Sequence, residues 1–131
     1  MNADKRRLTE RILGAAFEVG NTLGAGFLEK VYERALLREL ASSGLKVRAQ
    51  VSYCVDYKGH NVGDYFADIV VEESVLVELK CVDRLAPEHT AQCLNYLRAS
   101  GLELCLLINF QHPKIEWKRL ALSHLRSSAA N

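Results

Sequence analysis

The stretch 68-DIVVEESVLVELK-80 reads as two apolar strands folded back on each other about a tight turn, yet Asp68, Glu78 and Lys80 lie inside or beside those apolar runs. A buried ion costs several kcal/mol in desolvation unless it is paired or binds something, so the three charges either neutralise one another or form a site. With the turn centred on Glu73, Asp68 and Glu78 are equally far from it and face each other directly, which puts their Cβ atoms about 4.5 to 5.5 Å apart. Lys80 emerges on the same face as Glu78, because strand side chains repeat every second residue. The opposite face, formed by Ala67, Ile69, Val71, Val75, Val77 and Leu79, is wholly apolar and requires burial. Two carboxylates side by side repel at neutral pH, and a shared proton, an adjacent cation or a divalent metal relieves the repulsion. Lys80 offsets only one of the two charges. Hard oxygen ligands with open positions suit Mg²⁺ or Mn²⁺, which retain waters and can hold a phosphate. An internal salt bridge from Lys80 to one carboxylate is the plainer alternative.

Outward from this hairpin, the N-terminal segment from Asp4 to Val19 carries Leu8, Ile12, Ala15, Ala16 and Val19 at helical spacing. "GNTLGAG" then breaks the pattern with Gly20, Gly24 and Gly26, and a second helix is expected from about Phe27 to Ser42. "KVRAQVSYCVDY" alternates Val47, Ala49, Val51, Tyr53, Val55 and Tyr57 on one face and reads as the first strand. "KGHNVGD" reads as a turn, "YFADIVVE" and "VLVELKCV" as strands two and three around "EES". Pro87 suits the first position of a third helix that Gly101 closes after Ser100. "LELCLLINF" is a buried strand and "KIEWKRLAL" a weaker one near a sheet edge. The expected order is ααβββαββ in an α/β fold, a mixed sheet of about five strands flanked by helices, and the tail from Ser127 to Asn131 is expected to fray.

At 131 residues, with 49% hydrophobic and 25% charged side chains, the chain fits one compact domain spanning 1–131. No apolar run approaches the roughly 18 residues that cross a bilayer, and the N-terminus turns amphipathic instead of forming a signal-peptide block, so a soluble cytoplasmic protein without a membrane partner is expected. Cys54, Cys81, Cys93 and Cys105 are spread singly, with no metal-ligand spacing, and read as reduced apolar filler. The net charge of +1 neither demands nor excludes nucleic acid.

Two further features converge on the charged hairpin. On the second helix, Glu29 shares a stripe with Leu36 and Leu40, flanked by Tyr32 and Glu33, and an acid on a core-facing stripe is uncommon unless the helix dipole accounts for it. On the third, His89, Gln92 and Tyr96 share one side, offset from Ala91, Leu94 and Leu97, which is either a wet face or a wall of the site. Gly26-x-x-Glu29-x-x-Tyr32, in "GAGFLEKVY", resembles the signature of the bacterial GxxExxY protein family, itself similar in pattern to the PD-(D/E)XK nuclease superfamily. The resemblance extends over "YFADIVV", the Glu-x-Lys of "VELK", the "EHTAQCLNYL" helix and "LLINF". Gln92 and Tyr96 match the Gln-x-x-x-Tyr motif of RecB-like nucleases, and Ala67 stands where the superfamily's name places proline.

That resemblance implies a restriction-endonuclease-like core and hydrolysis of DNA phosphodiesters. Asp68 and Glu78 would bind Mg²⁺ or Mn²⁺, with the Leu79 carbonyl completing the protein's share and Glu29 binding directly or through water. Lys80 would orient or help deprotonate the attacking water. Gln92 and Tyr96 would position the strand or nucleophile, with His89 and Tyr32 as further candidates. The rival is a catalytically inactive module of the same fold that binds nucleic acid or a protein, supported by the sparse basic residues Lys5, Arg6, Arg7, Arg11, Lys114, Lys118, Arg119 and Arg126. A homodimer or protein partner is left open.

Overall fold

The computed structural model describes residues 3–122. Its elements are α1 (Ala3–Leu23), α2 (Glu29–Ser42), β1 (Val47–Tyr57), β2 (His60–Val71), β3 (Val75–Lys80), α3 (Pro87–Ser100), β4 (Leu104–Asn109) and β5 (Glu116–Ala121). The order is ααβββαββ, as the hydrophobic periodicity requires. The expected frayed tail from Ser127 lies outside the described residues.

The five strands form one mixed sheet in the order β1-β2-β3-β4-β5. Only β3 and β4 are parallel, and α3 is the crossover that parallel neighbours need. β4 is buried along its whole length and so reads as an unbroken apolar run, whereas β5 lies at the edge and has no fully buried residue. One face of the sheet packs Ile69, Val77, Leu79, Leu106 and Ile108 against Ile12, Ala16, Leu36 and Leu40 of α1 and α2. The other packs Val70, Leu76, Cys105 and Leu107 against Cys93 and Leu97 of α3. Truncating a fully buried leucine such as Leu106 to alanine should cost about 2–5 kcal/mol.

Several local expectations change. α1 runs through Gly20 instead of stopping there. The glycine lets Ile115 pack close against the helix: a Cβ at that position would lie 2.9 Å from the Ile115 Cδ1 atom, so the isoleucine side chain would have to shift. The "KGHNVGD" turn shrinks to Lys58 and Gly59, both left-handed with φ of 50° and 83°, which suits a two-residue hairpin turn, and β2 accordingly starts at His60. On α3 the buried stripe is Cys93 and Leu97, while Ala91 is exposed. Of the cysteines, Cys93 and Cys105 are buried filler, but Cys54 is exposed and Cys81 half-buried.

The change that matters for the site lies between β1 and β2. The ladder pairs Ala49 with Ile69 and Val51 with Ala67 but skips Gln50 and Asp68 between them. Gln50 is left-handed, with φ of 52°. Across this break the faces exchange: Val47, Ile69 and Val71 pack toward α1 and α2, whereas Val51, Tyr53 and Ala67 pack toward α3. Ala67 therefore does not share a face with Ile69, contrary to strict alternation, and Asp68 sits at the break itself.

Candidate active site

The β2–β3 hairpin follows the expected register, with Val71 opposite Val75 and Ile69 opposite Val77, and there the ladder ends. Asp68 and Glu78 are the next residues out, but they do not form a ladder pair. Each carboxylate instead bonds to the other strand. Glu78 Oε2 accepts the Asp68 N–H at 3.0 Å, and Asp68 Oδ2 accepts the Leu79 N–H at 2.8 Å. Side-chain oxygens thus replace the ladder where the strands part, so the two acids are fixed at the fork and face one another across it.

Their surroundings are hostile to negative charge. Glu78 is only 5% exposed, and burial followed by the charge of Asp68 pushes its carboxyl up to about 9, against the pull of the Asp68 N–H. Burial likewise raises Asp68, with the negative charge of Glu33 adding and the Leu79 N–H opposing. Lys80 acts on both carboxylates from a distance, but it makes no ion pair with any described residue. The internal salt bridge is therefore not formed.

The N-terminal turn of α2 supplies two more acids. Glu33, not Glu29, is the buried acid on the core-facing stripe, at 5% exposure. It accepts from Lys30 Nζ at 3.2 Å and from Gln50 Nε2 at 2.9 Å. The same Gln50 amide reaches toward Asp68 Oδ1 at 3.5 Å, so the left-handed residue at the strand break links α2 to the fork. Glu29 is exposed as a residue, yet burial of its carboxyl and the charge of Asp68 raise its pKa, with Lys80 opposing. Tyr32 is a clasp: its hydroxyl donates to the Gly24 carbonyl at 2.6 Å and accepts the Phe27 N–H at 3.2 Å. Its ring stacks on Phe110 at 4.9 Å, and the Phe110 N–H bonds to the Lys80 carbonyl at 2.9 Å. The clasp of Tyr32 on the Gly24 carbonyl and the Phe27 N–H thus ties down the turn from which Glu29 begins its helix.

On α3, Tyr96 stacks on Tyr65 at 3.9 Å, and Tyr65 in turn on Tyr53 at 5.6 Å. Burial and then the Glu78 charge raise the Tyr96 hydroxyl, and a cleft of about 550 Å³ between β1–β2 and α3 is lined by Tyr65 and Tyr96. The buried Tyr65 hydroxyl has no hydrogen-bond partner among the described residues. Gln92 is exposed, one turn before Tyr96. His89 is occupied at the helix start, where its Nδ1 accepts the Ala86 N–H at 2.9 Å. Beyond Lys80, Asn109 holds the chain: its Oδ1 accepts from Val82 N–H at 3.0 Å and its Nδ2 donates to the Val82 carbonyl at 2.8 Å and to Glu116 Oε1 at 3.1 Å. Sequence periodicity gave no hint of Gln50 or Asn109 at this site. A polar residue at the foot of an apolar strand was the available signal for Asn109.

Two strands that part around opposed carboxylates, followed two residues later by a lysine and then by a crossover helix, agree with the profile of the PD-(D/E)XK nuclease superfamily, which matches residues 6–120. The chain belongs to the PD-(D/E)XK nuclease superfamily. No curated protein matches it significantly. Among solved structures, SSO0001 superposes with a TM-score of 0.55 at 17% identity, over 77% of this chain and 56% of that one. The alkaline exonuclease LHK-Exo from Laribacter hongkongensis superposes with a TM-score of 0.50 at 14% identity, over 88% of this chain and 80% of that one. The chain thus spans little more than half the length of SSO0001, and at such identities the superpositions show the fold. Among the described residues no helix is long and apolar enough to cross a membrane.

The PD-(D/E)XK fork fits a divalent cation by its donor chemistry. Two hard carboxylates are held close together by backbone N–H groups, each through one oxygen, with too little positive charge nearby to stabilise both as anions. No three acidic, histidine or cysteine side chains among the described residues are arranged to hold an ion unaided. The remaining positions would fall to waters and substrate oxygens, as Mg²⁺ prefers.

Proposed function

We propose that this chain hydrolyses DNA phosphodiester bonds, with Asp68 and Glu78 holding Mg²⁺ or Mn²⁺ at the fork. The observation that carries the reading is the reciprocal bonding of two raised-pKa carboxylates that no cation pairs. Such a cluster works against the stability of the metal-free fold, and groups that do so concentrate at functional sites. When bound, the ion would lower the pKa of a water and stabilise charge developing on the phosphate.

The protein's own groups have separable roles. The Asp68 and Leu79 N–H groups orient the two carboxylates, so the ligand geometry is built before substrate arrives. The Leu79 carbonyl, between Glu78 and Lys80, faces the same fork and would complete the donor set. Lys80, without an ion pair among the described residues, would orient the attacking water and offset phosphate charge. Glu29, carried on the clasped start of α2, would approach the ion through a water. Tyr96, whose hydroxyl feels the Glu78 charge, would position the strand together with Gln92 a turn earlier.

A panel of labelled single-stranded, duplex and branched DNAs, incubated with and without Mn²⁺, tests the reading. Cleavage that requires the metal and vanishes in Asp68→Asn and Glu78→Gln supports it. Calorimetry that shows no Mn²⁺ binding, together with no cleavage of any substrate, would leave an inactive module of the same fold.

A further inference from the structure

Leu28 breaks two local rules at once. It is the N-cap of α2, yet contributes no side-chain cap bond, where serine, threonine, aspartate or asparagine would satisfy an orphan N–H. It is also 78% exposed, and Phe27 beside it is 49% exposed. The pair is not on a loose loop. The Phe27 N–H bonds to the Tyr32 hydroxyl at 3.2 Å, that hydroxyl bonds to the Gly24 carbonyl at 2.6 Å, and the Phe27 ring meets Tyr32 edge-on at 6.2 Å. Tyr32 is tied through its stack on Phe110 to the Lys80 end of β3, and Glu29 follows Leu28 directly. A rigid apolar lip therefore stands at the mouth of the acidic fork. Residues that violate local preferences without a structural return are expected at functional positions.

The charge around the lip limits what can use it. Lys30 is engaged by Glu33, and the charge of Lys80 is shared among Glu29, Asp68 and Glu78. Continuous duplex is gripped mainly by neutralising phosphates with lysine and arginine, and its base faces are closed to a side chain from outside. Apolar side chains find purchase where a base face is open, as in single strands or partly unstacked steps. We propose that Leu28, backed by Phe27, packs against an unpaired nucleobase beside the phosphate to be cut, so that the site takes single-stranded DNA or frayed ends in preference to continuous duplex. This rests on the nuclease reading and names its substrate class.

The test measures fluorescence anisotropy of a labelled single-stranded oligonucleotide and of its blunt duplex without divalent metal, together with thermal melting. Leu28→Ser supplies a cap, so its melting temperature should rise by about a few degrees, while single-strand affinity should fall by about tenfold and duplex affinity should stay unchanged. Leu28→Met should keep the single-strand affinity. Equal losses on both substrates, no loss, a lowered melting temperature accompanying the loss, or no measurable binding of the single strand by the wild type would each overturn the proposal. So would conversion of a dimer to a monomer by Leu28→Ser, which would mean that a second copy covers the lip. Metal-dependent cleavage is scored separately on the wild type, so the nuclease reading can fail while the strand preference stands, and the reverse.

Discussion

Glu78 and Glu116 lie near the same end of the sheet and titrate in opposite directions. Asn109 pairs with Lys80 on one side and with Glu116 on the other, so Glu116 lies two strands across from Lys80, the residue two beyond Glu78. Glu116 Oε1 accepts the Asn109 amide at 3.1 Å and the Leu85 N–H at 2.9 Å; these neutral donors hold its half-buried carboxyl below the usual range. Glu78 has one backbone donor, a second acid across the fork and almost no water, and its carboxyl is raised. A carboxylate surrounded by donors serves the fold. One buried beside another carboxylate is kept for something the fold does not need.

The widest separation between the two glutamates should be in activity. Glu78→Gln keeps the size and the acceptor oxygen but not the charge, and is expected to reduce Mn²⁺-dependent cleavage on the order of a thousandfold or more, the scale of losing a group that stabilises charge in the transition state. Glu116→Gln should leave cleavage unchanged, because its acceptor role survives. Equal losses in the two variants would erase the distinction between a site acid and a staple.

Stability should separate them the other way round. Asn109→Ala leaves the Val82 N–H and carbonyl without their partner and removes a donor from Glu116, so urea unfolding should show a loss of about 2–4 kcal/mol. Glu78→Gln in metal-free buffer should be no less stable than wild type, since it removes the cost of keeping a buried carboxyl protonated beside Asp68 at neutral pH. A Glu78→Gln loss as large as that of Asn109→Ala would make Glu78 part of the scaffold. Mn²⁺ sharpens the same contrast. Binding only to the folded state, it should add about 2.7 kcal/mol at a hundredfold excess over its Kd, and this gain should vanish in Asp68→Asn but persist in Glu116→Gln.

How much of this was legible beforehand follows from which residues act locally. The hairpin register was readable because the apolar residues on both sides of "EES" fix it, and Asp68 and Glu78 were placed correctly relative to the turn. Their reciprocal bonds were not, because strand parting is a consequence of tertiary packing and alternation assumes that the ladder continues. The break at Gln50 was hidden for the same reason: a left-handed glutamine has no sequence mark, unlike Gly59 in the neighbouring turn. Glu29 was chosen over Glu33 on a helical stripe that both approach. The clasp by Tyr32, which sets the entry to α2, decides which of them is buried. His89 reads as a site residue by its spacing, yet the third position of a helix without a capping side chain gives it a local task.

The last contrast is a slope with pH, and its sign is opposite to that of an ordinary paired carboxylate. Free Glu78 would titrate at 4.5 in the unfolded chain and at about 9 in the folded one. Below 4.5 both states hold the proton and the group contributes no slope. Between 4.5 and about 9 only the folded state keeps it, so metal-free stability falls as pH rises, by at most about 1.4 kcal/mol per pH unit for one proton. Above that window both states have lost it and the slope ends. Asp68 and Glu29, also raised, add in the same direction, whereas Glu73 and Glu116, lowered by their partners, favour the fold above their unfolded pKa and lose that contribution as pH falls. The difference between wild type and Glu78→Gln isolates one group from the rest. Urea unfolding across pH 5 to 8 should show wild type losing stability relative to Glu78→Gln with rising pH, and saturating Mn²⁺ should remove or reverse that loss, because the metal takes the place of the proton. A difference that stays flat in metal-free buffer would mean that Glu78 is already ionised in the folded protein, and the fork would then need another source of positive charge.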